Sequence, residues 1–366
     1  MRMHSSQRAT TWLGLSLLFG LLTACASQEI TPLIPNVQVT QKFNGVAVFR
    51  LKPDADLERD CAAGSQETDC QVNTIGIDDL ALGLRRTFDV VEIGGVEQDF
   101  GIAIGTSTAA DPSFLSVTSL LLWRGQQLDE LKYQLPYTKL MSKRNADEAS
   151  PIARSITSHI MQDVIRQAML TPEHVHQRLY ASDYANALIA PNEIESFTKY
   201  SVHKFVDPLL GAAVRYRHLS PESGHIDVFV YPVRAIEWQD VPTVLTQESK
   251  SVRRDLTRLK DQGVHQLVRL NDDEMLHWSG VFGSIDLLRF EGEIANADFQ
   301  PYDTSTYLYL DQDKLVKIRS TTPRNAPISV DSAQFVRSLM ATLQVPPESQ
   351  YMRQARQRWL NNRSQQ

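Results

Sequence analysis

Two hydrophobic periods alternate along this chain, and their order predicts its architecture. GVAVFRL (45–51) alternates and is rich in Val, which predicts a strand. IDDLALGLRRTF (77–88) puts Leu80, Leu84 and Phe88 on one helical stripe, with Asp78 and Asp79 at its positive start. FDVVEI and DFGIAIGTSTAA (99–110) read as strands, and 114–138 reads as two strands joined around Arg124-Gly125-Gln126. The clearest helix is 150–170: Ser150 can cap it, Pro151 takes the first helical position, and Ile152, Ile156, Ile160, Val164 and Ala168 recur every four residues. Thr171-Pro172 ends it.

TPEHVHQRLYASDYANALI suggests a short helix, and APNEIES a linker. A second pattern begins near residue 198. GAAVRYRHL and HIDVFVYPV read as strands. TVLTQESKSVRRDLTRLKDQGV reads as a helix with Leu245, Val252, Leu256 and Leu259 inward. SIDLLRFEGEI, TSTYLYLDQD and KLVKIRSTTP read as strands, the last two turning at Asp311-Gln312-Asp313. A closing helix places Phe335, Leu339 and Leu343 four apart, with Pro346 after its end. The fold class expected is α+β with two domains, each a mostly antiparallel sheet with helices packed on one face.

The start of the chain carries a different signal. Arg2 and Arg8 precede Trp12–Leu22, eleven residues without charge. A positive end followed by an apolar stretch of this length is a secretory signal peptide, too short for a membrane-spanning helix of about 20 residues. The run ends at Leu22-Thr23-Ala24-Cys25, which resembles the lipobox of bacterial lipoproteins. The resemblance covers about 25 of 366 residues. It implies a diacylglycerol thioether on the Cys25 thiol, cleavage just before Cys25, and often a further acyl group on the new amine. Two or more chains anchor stably where one binds only marginally. In such lipoproteins an Asp after the cysteine implies retention at the inner membrane. Ala26 and Ser27 stand there, so the resemblance implies the outer membrane, at its periplasmic face. The order of elements also resembles small periplasmic lipoproteins that serve envelope transport machines, with no shared motif.

The expected organisation is a signal peptide (1–24), a lipidated tether (25–38), an N-terminal α+β domain (39–175), a linker or short helix (176–197), a C-terminal α+β domain (198–346) and a basic tail (347–366). Cleavage removes two arginines and no acid, taking the net charge from −6 to −8. A mildly acidic protein outside the cytoplasm is not expected to bind nucleic acid. Cys61 and Cys70 are the cysteines besides Cys25, and an oxidising compartment favours a disulfide between them. A zinc pair is the competing reading, but it lacks further cysteines and a nearby histidine cluster.

Candidate chemistry is sparse. No phosphate loop, dinucleotide fingerprint, HExxH or GxSxG occurs. SxxK occurs twice, at Ser196–Lys199 and Ser201–Lys204, without the companion boxes of penicillin-binding enzymes, and reads as chance. His174 and His176 would share a face on a strand but diverge on a helix, and the segment reads as a helix start with solvated histidines. Asp54, Asp56, Glu58 and Asp60 alternate like calcium ligands, but Arg59 stands where a calcium loop needs glycine, so a solvated acidic loop is the better reading. Trp123, Trp238 and Trp278 suit either core or surface. The tail offers Arg353, Arg356, Arg358 and Trp359 for contact with an anionic surface or acidic partner, against the plainer reading of a frayed terminal helix.

The expected protein is therefore a non-catalytic envelope lipoprotein, a binding or accessory component. No catalytic residue, metal or cofactor is expected. Its partners are the bilayer, through acylated Cys25, and an envelope protein, lipid or cell-wall polymer. The alternative is a periplasmic hydrolase of envelope material without a recognisable motif.

Overall fold

A computed structural model describes residues 43–51, 75–95, 97–108, 111, 113–138, 148–280, 283–326 and 330–363. The lipobox, the Cys61/Cys70 pair and the acidic loop before it lie outside the described residues.

The first sheet has five strands in the order β2-β1-β3-β4-β5: β1 Phe43–Arg50, β2 Phe88–Ile93, β3 Phe100–Thr108, β4 Phe114–Trp123 and β5 Gln126–Pro136. It is mixed, because β1 runs parallel to both β2 and β3 while the β3–β4 and β4–β5 pairs are antiparallel. Helix α1 (Ile77–Leu84) lies between β1 and β2 and returns the chain in the same direction, which a hairpin cannot do. α1 and α2 (Pro151–Arg166) both pack Leu80, Leu84, Ile152, Ile156 and Ile160 onto Val46, Val48, Ile102 and Ile104. The cap of α2 ties the two helices together: Asp79 accepts hydrogen bonds from the Ser150 amide (2.8 Å) and hydroxyl. The β4–β5 turn has positive φ at Arg124 (45°) and Gly125 (79°), the two-residue geometry that follows strand twist. After α3 (Pro172–Arg178) the chain enters the second domain.

The second sheet has nine strands and is antiparallel throughout, ordered β10-β12-β13-β14-β9-β8-β7-β6 with β11 also on β12. Its strands are β6 Glu193–Ile194, β7 Phe197–Lys204, β8 Ala212–His218, β9 His225–Pro232, β10 His265–Leu270, β11 Glu274–Gly280, β12 Gly283–Asn296, β13 Pro301–Asp311 and β14 Lys314–Pro323. Its helices do not share one face, as the sequence pattern suggested. α5 (Ser332–Met340) packs Phe335, Val336 and Leu339 on the side of Val214, Val228, Tyr307 and Ile318. α4 (Val241–Asp261) packs Val244, Leu245, Val252 and Leu256 on the side of Leu288, Phe290, Leu308 and Leu315. Tyr307 and Leu308 are adjacent in β13, so they point to opposite faces. Both faces of the central strands are thus apolar, and each needs a cover.

The basic tail is structural. α6 (Gln350–Arg363) buries Met352, and the Tyr351 amide donates to the Tyr180 carbonyl at 3.2 Å. Between the domains, Arg124 bonds Asp99 (2.7 Å) in the first and Asp207 (2.9 Å) in the second, and Lys204 pairs with Glu173. Among the described residues, no helix is long and apolar enough to cross a membrane.

Candidate functional site: a cleft over the second sheet

Strand register brings the site together. On β14, Lys317 stands opposite Phe229 and Leu315 opposite Tyr231 of β9, and on its other side Lys317 stands opposite Leu308 of β13. These residues share the face that α4 covers. The helix seals the Leu288, Leu308 and Leu315 end of that face but leaves Phe229, Tyr231 and Lys317 only half-buried. A cavity of about 490 Å³ opens there, within the ordinary range for small-molecule sites.

Its walls come from three elements. Phe205, Leu209 and Leu210 come from the chain between β7 and β8, Val233 and Arg234 follow β9, and Val244, Gln247, Glu248 and Ser251 belong to α4. Gly211 sets the first wall. It has φ 64°, and a Cβ there would lie 1.9 Å from the Val230 carbonyl oxygen, so only glycine lets Leu210 turn this tightly onto β9.

The polar groups of the cleft are unequally satisfied. The Tyr231 hydroxyl donates to Glu248 Oε1 at 2.5 Å; burial, then the Glu248 charge, push the phenol well above its ordinary pKa. Lys317 Nζ lies 4.7 Å from the Phe229 ring centroid and 5.4 Å from that of Tyr231. It makes no ion pair within 4.0 Å among the described residues. Burial lowers its pKa, Glu248 and Asp255 pull it back up, and Arg319 adds to the fall. Farther along the same face, Asp227 is shared by Arg215 (3.6 Å), Arg319 (3.3 Å) and His225 (3.8 Å). Arg217 stacks on the Tyr200 ring at 4.8 Å.

Chemically, this arrangement can receive an apolar body and offer it a cation. Neither hydroxyl of the cleft is set up as a nucleophile. Ser251 has no hydrogen bond to an imidazole or carboxylate among the described residues, and the Tyr231 proton is held by Glu248. Among the described residues, no group of three or more His, Cys, Asp or Glu could hold a metal ion.

The residues singled out in the sequence fall elsewhere. Of the tail residues, Arg353 and Arg358 are exposed, Trp359 is half-buried beside the start of α4, and Arg356 is not a surface group at all. Its guanidinium is buried against Asp313 (3.4 Å) and Glu348, 5.4 Å from the Trp238 ring. Ser201 and Lys204 lie on strand β7, not on one helical turn; Lys199 reaches the Ala190 carbonyl (2.7 Å). His174 and His176 lie on helix α3 and diverge, yet neither is solvated. His174 meets Asp129, and His176 is buried at 5% exposure with Nε2 unpartnered. Trp123 is core, and Trp278 half-covers the second core under Arg337.

Phe229, Tyr231, Glu248 and Lys317 were not visible as a set. One signal existed: in KLVKIRSTTP, Lys317 occupies the same face as Leu315 and so breaks an apolar alternation.

No known family model matches the chain, and no curated protein sequence matches it. Among solved structures, a crystal structure of a protein from Bacteroides thetaiotaomicron aligns at 12% identity over 43% of this chain, with TM-score 0.24. That alignment spans 44% of the other chain, less than half its length. The solution structure of cyanobacterial PsbP (CyanoP) from Synechocystis sp. PCC 6803 aligns at 14% identity over 43% of this chain and 96% of that one, with TM-score 0.29. Likenesses this slight carry no inference about fold or function.

Proposed function

We propose that the protein is a non-catalytic lipoprotein of the cell envelope, held at the periplasmic face of the outer membrane by acyl chains on Cys25, and that the cleft beside α4 is where it binds its ligand. The observation that supports binding is the cleft's composition: a half-open cavity of about 490 Å³ with apolar walls and a few inward polar groups. Enzymatic sites hold a nucleophile, a base and an orienting group in hydrogen-bond reach; among the described residues Ser251 has no base bonded to it, and the Tyr231 hydroxyl is held by Glu248. Two other cavities support binding less well. In the polar groove along β12–β14, Arg324 already neutralises Glu293 and Asp303 (3.0 Å each), and Arg289 neutralises Glu291. In the pocket beside His176, Lys204 neutralises Glu173.

A photoreactive residue tests this. Benzoylphenylalanine at Leu210, on the cleft wall and 45% exposed, is to be irradiated in intact cells beside a control at the exposed Arg166 of the first domain. A small-molecule mass added to the peptide carrying position 210, and absent from the control, is expected. An unmodified peptide at both positions contradicts the assignment of the cleft.

A further inference from the structure

We infer that the ligand is a single-chain amphiphile with an anionic head, its carboxylate on Lys317 and its acyl body against Phe205, Leu210 and Phe229. This rests on the cleft being the binding site, and it follows from the cation there that has no ion partner. Glu248 accepts from the Tyr231 hydroxyl, and Asp255, exposed on α4, also lines the cleft; neither pairs with Lys317 within 4.0 Å. Lys317 has aromatic faces beneath it but no counter-ion within 4.0 Å among the described residues.

The surrounding face repeats the sign. Register sets Arg215, Asp227 and Arg319 in one row across β8, β9 and β14, two residues from the row that holds Phe229 and Lys317. Arg217 lies farther along β8. Asp227 is the acid of that row and is already divided among three partners. At Lys317 a ligand cation would meet like charge, and an uncharged head would leave the half-buried ammonium without an ion partner. A carboxylate gains a charge-assisted bond in a partly desolvated site, where such bonds are strong. Phe205, Leu209, Leu210, Phe229 and Val233 give the cavity an apolar wall that suits a hydrocarbon tail.

The test is calorimetric titration of the full chain carrying Cys25→Ser, with dodecanoate, dodecanol and dodecyltrimethylammonium as probes below their micelle concentrations. Dodecanoate is expected to bind at least tenfold more tightly than either other probe. Lys317→Gln is expected to erase that preference; Lys317→Met, which keeps the straight apolar stem, gives the same comparison should the first variant not fold. Equal binding of all three probes, or a preference that survives loss of the charge, overturns the anionic head while leaving the cleft as an amphiphile site. No binding by any probe overturns both.

Discussion

Arg356 of the C-terminal helix and Asp313 of the β13–β14 turn meet in the interior, 3.4 Å apart and almost fully shielded from solvent. Lys314, wholly buried, bonds the same carboxylate, and Arg356 also reaches Glu348. A helix that reads as a polar tail is thus held by a buried ionic cluster. Removing one member of such a cluster leaves the others desolvated without compensation, which typically costs about 3–5 kcal/mol. Arg356→Met should lower stability on that scale in urea denaturation. Arg353→Ala and Arg358→Ala, at exposed positions, should each change it by under about 1 kcal/mol. Equally small effects at all three positions would show that α6 rides on the surface.

His176 gives the fold a pH dependence with a defined sign. Burial lowers its pKa from the ordinary 6.5, outweighing the carbonyls of Phe205 and Val206 and the charges of Glu173 and Asp207, which raise it. The unfolded chain therefore takes up the proton first as pH falls. Stability from this residue is complete above about pH 6.5 and is lost as pH drops through the lower folded value. Urea midpoints should fall between pH 7.5 and 5, and His176→Gln should reduce that fall. His225 and His265 are shifted in the same direction by burial, so some slope should remain. An unchanged slope in the variant would remove His176 from the account.

Cys61 and Cys70 should resist alkylation in the native protein until a reductant is added. Their bridge would contribute about 2–3 kcal/mol, mainly by restricting the unfolded loop. Ready modification of both thiols without reductant would show that no bridge forms.

Much of the fold was legible in the alternation of polar and apolar residues, because one-sided burial leaves a strong period. Ser150 at the head of α2, the Arg124-Gly125 turn and the Phe335–Leu339 stripe of α5 all occur where their patterns placed them. The parallel pairing of β1 was not legible, since strand direction depends on the crossover and not on the strand's own period. Strand β7 was not legible as an element: FTKYSVHK lies near the sheet edge and leaves Tyr200 and Val202 exposed, so it shows little burial contrast. Helices on both sides of the second sheet were also missed, because adjacent apolar residues such as Tyr307 and Leu308 blur the alternation on which a one-sided reading depends.

The cleft was the least legible part. Phe229, Glu248 and Lys317 come from β9, α4 and β14, and only strand register and the packing of α4 on the sheet bring them together. Arg356 was misread for a related reason. Its burial partner Asp313 looks in sequence like an ordinary turn acid, and nothing local marks either residue as interior.

The proposed placement of these domains beside a bilayer rests on acylation of Cys25. The most direct measurement is metabolic labelling with a palmitate analogue, followed by membrane fractionation of cells expressing the wild type or Cys25→Ser. The wild type should carry the label and sediment with outer membranes, while the variant should be unlabelled and released. Label on both proteins, or an unlabelled wild type with its leader intact in the cytosol, would contradict the account.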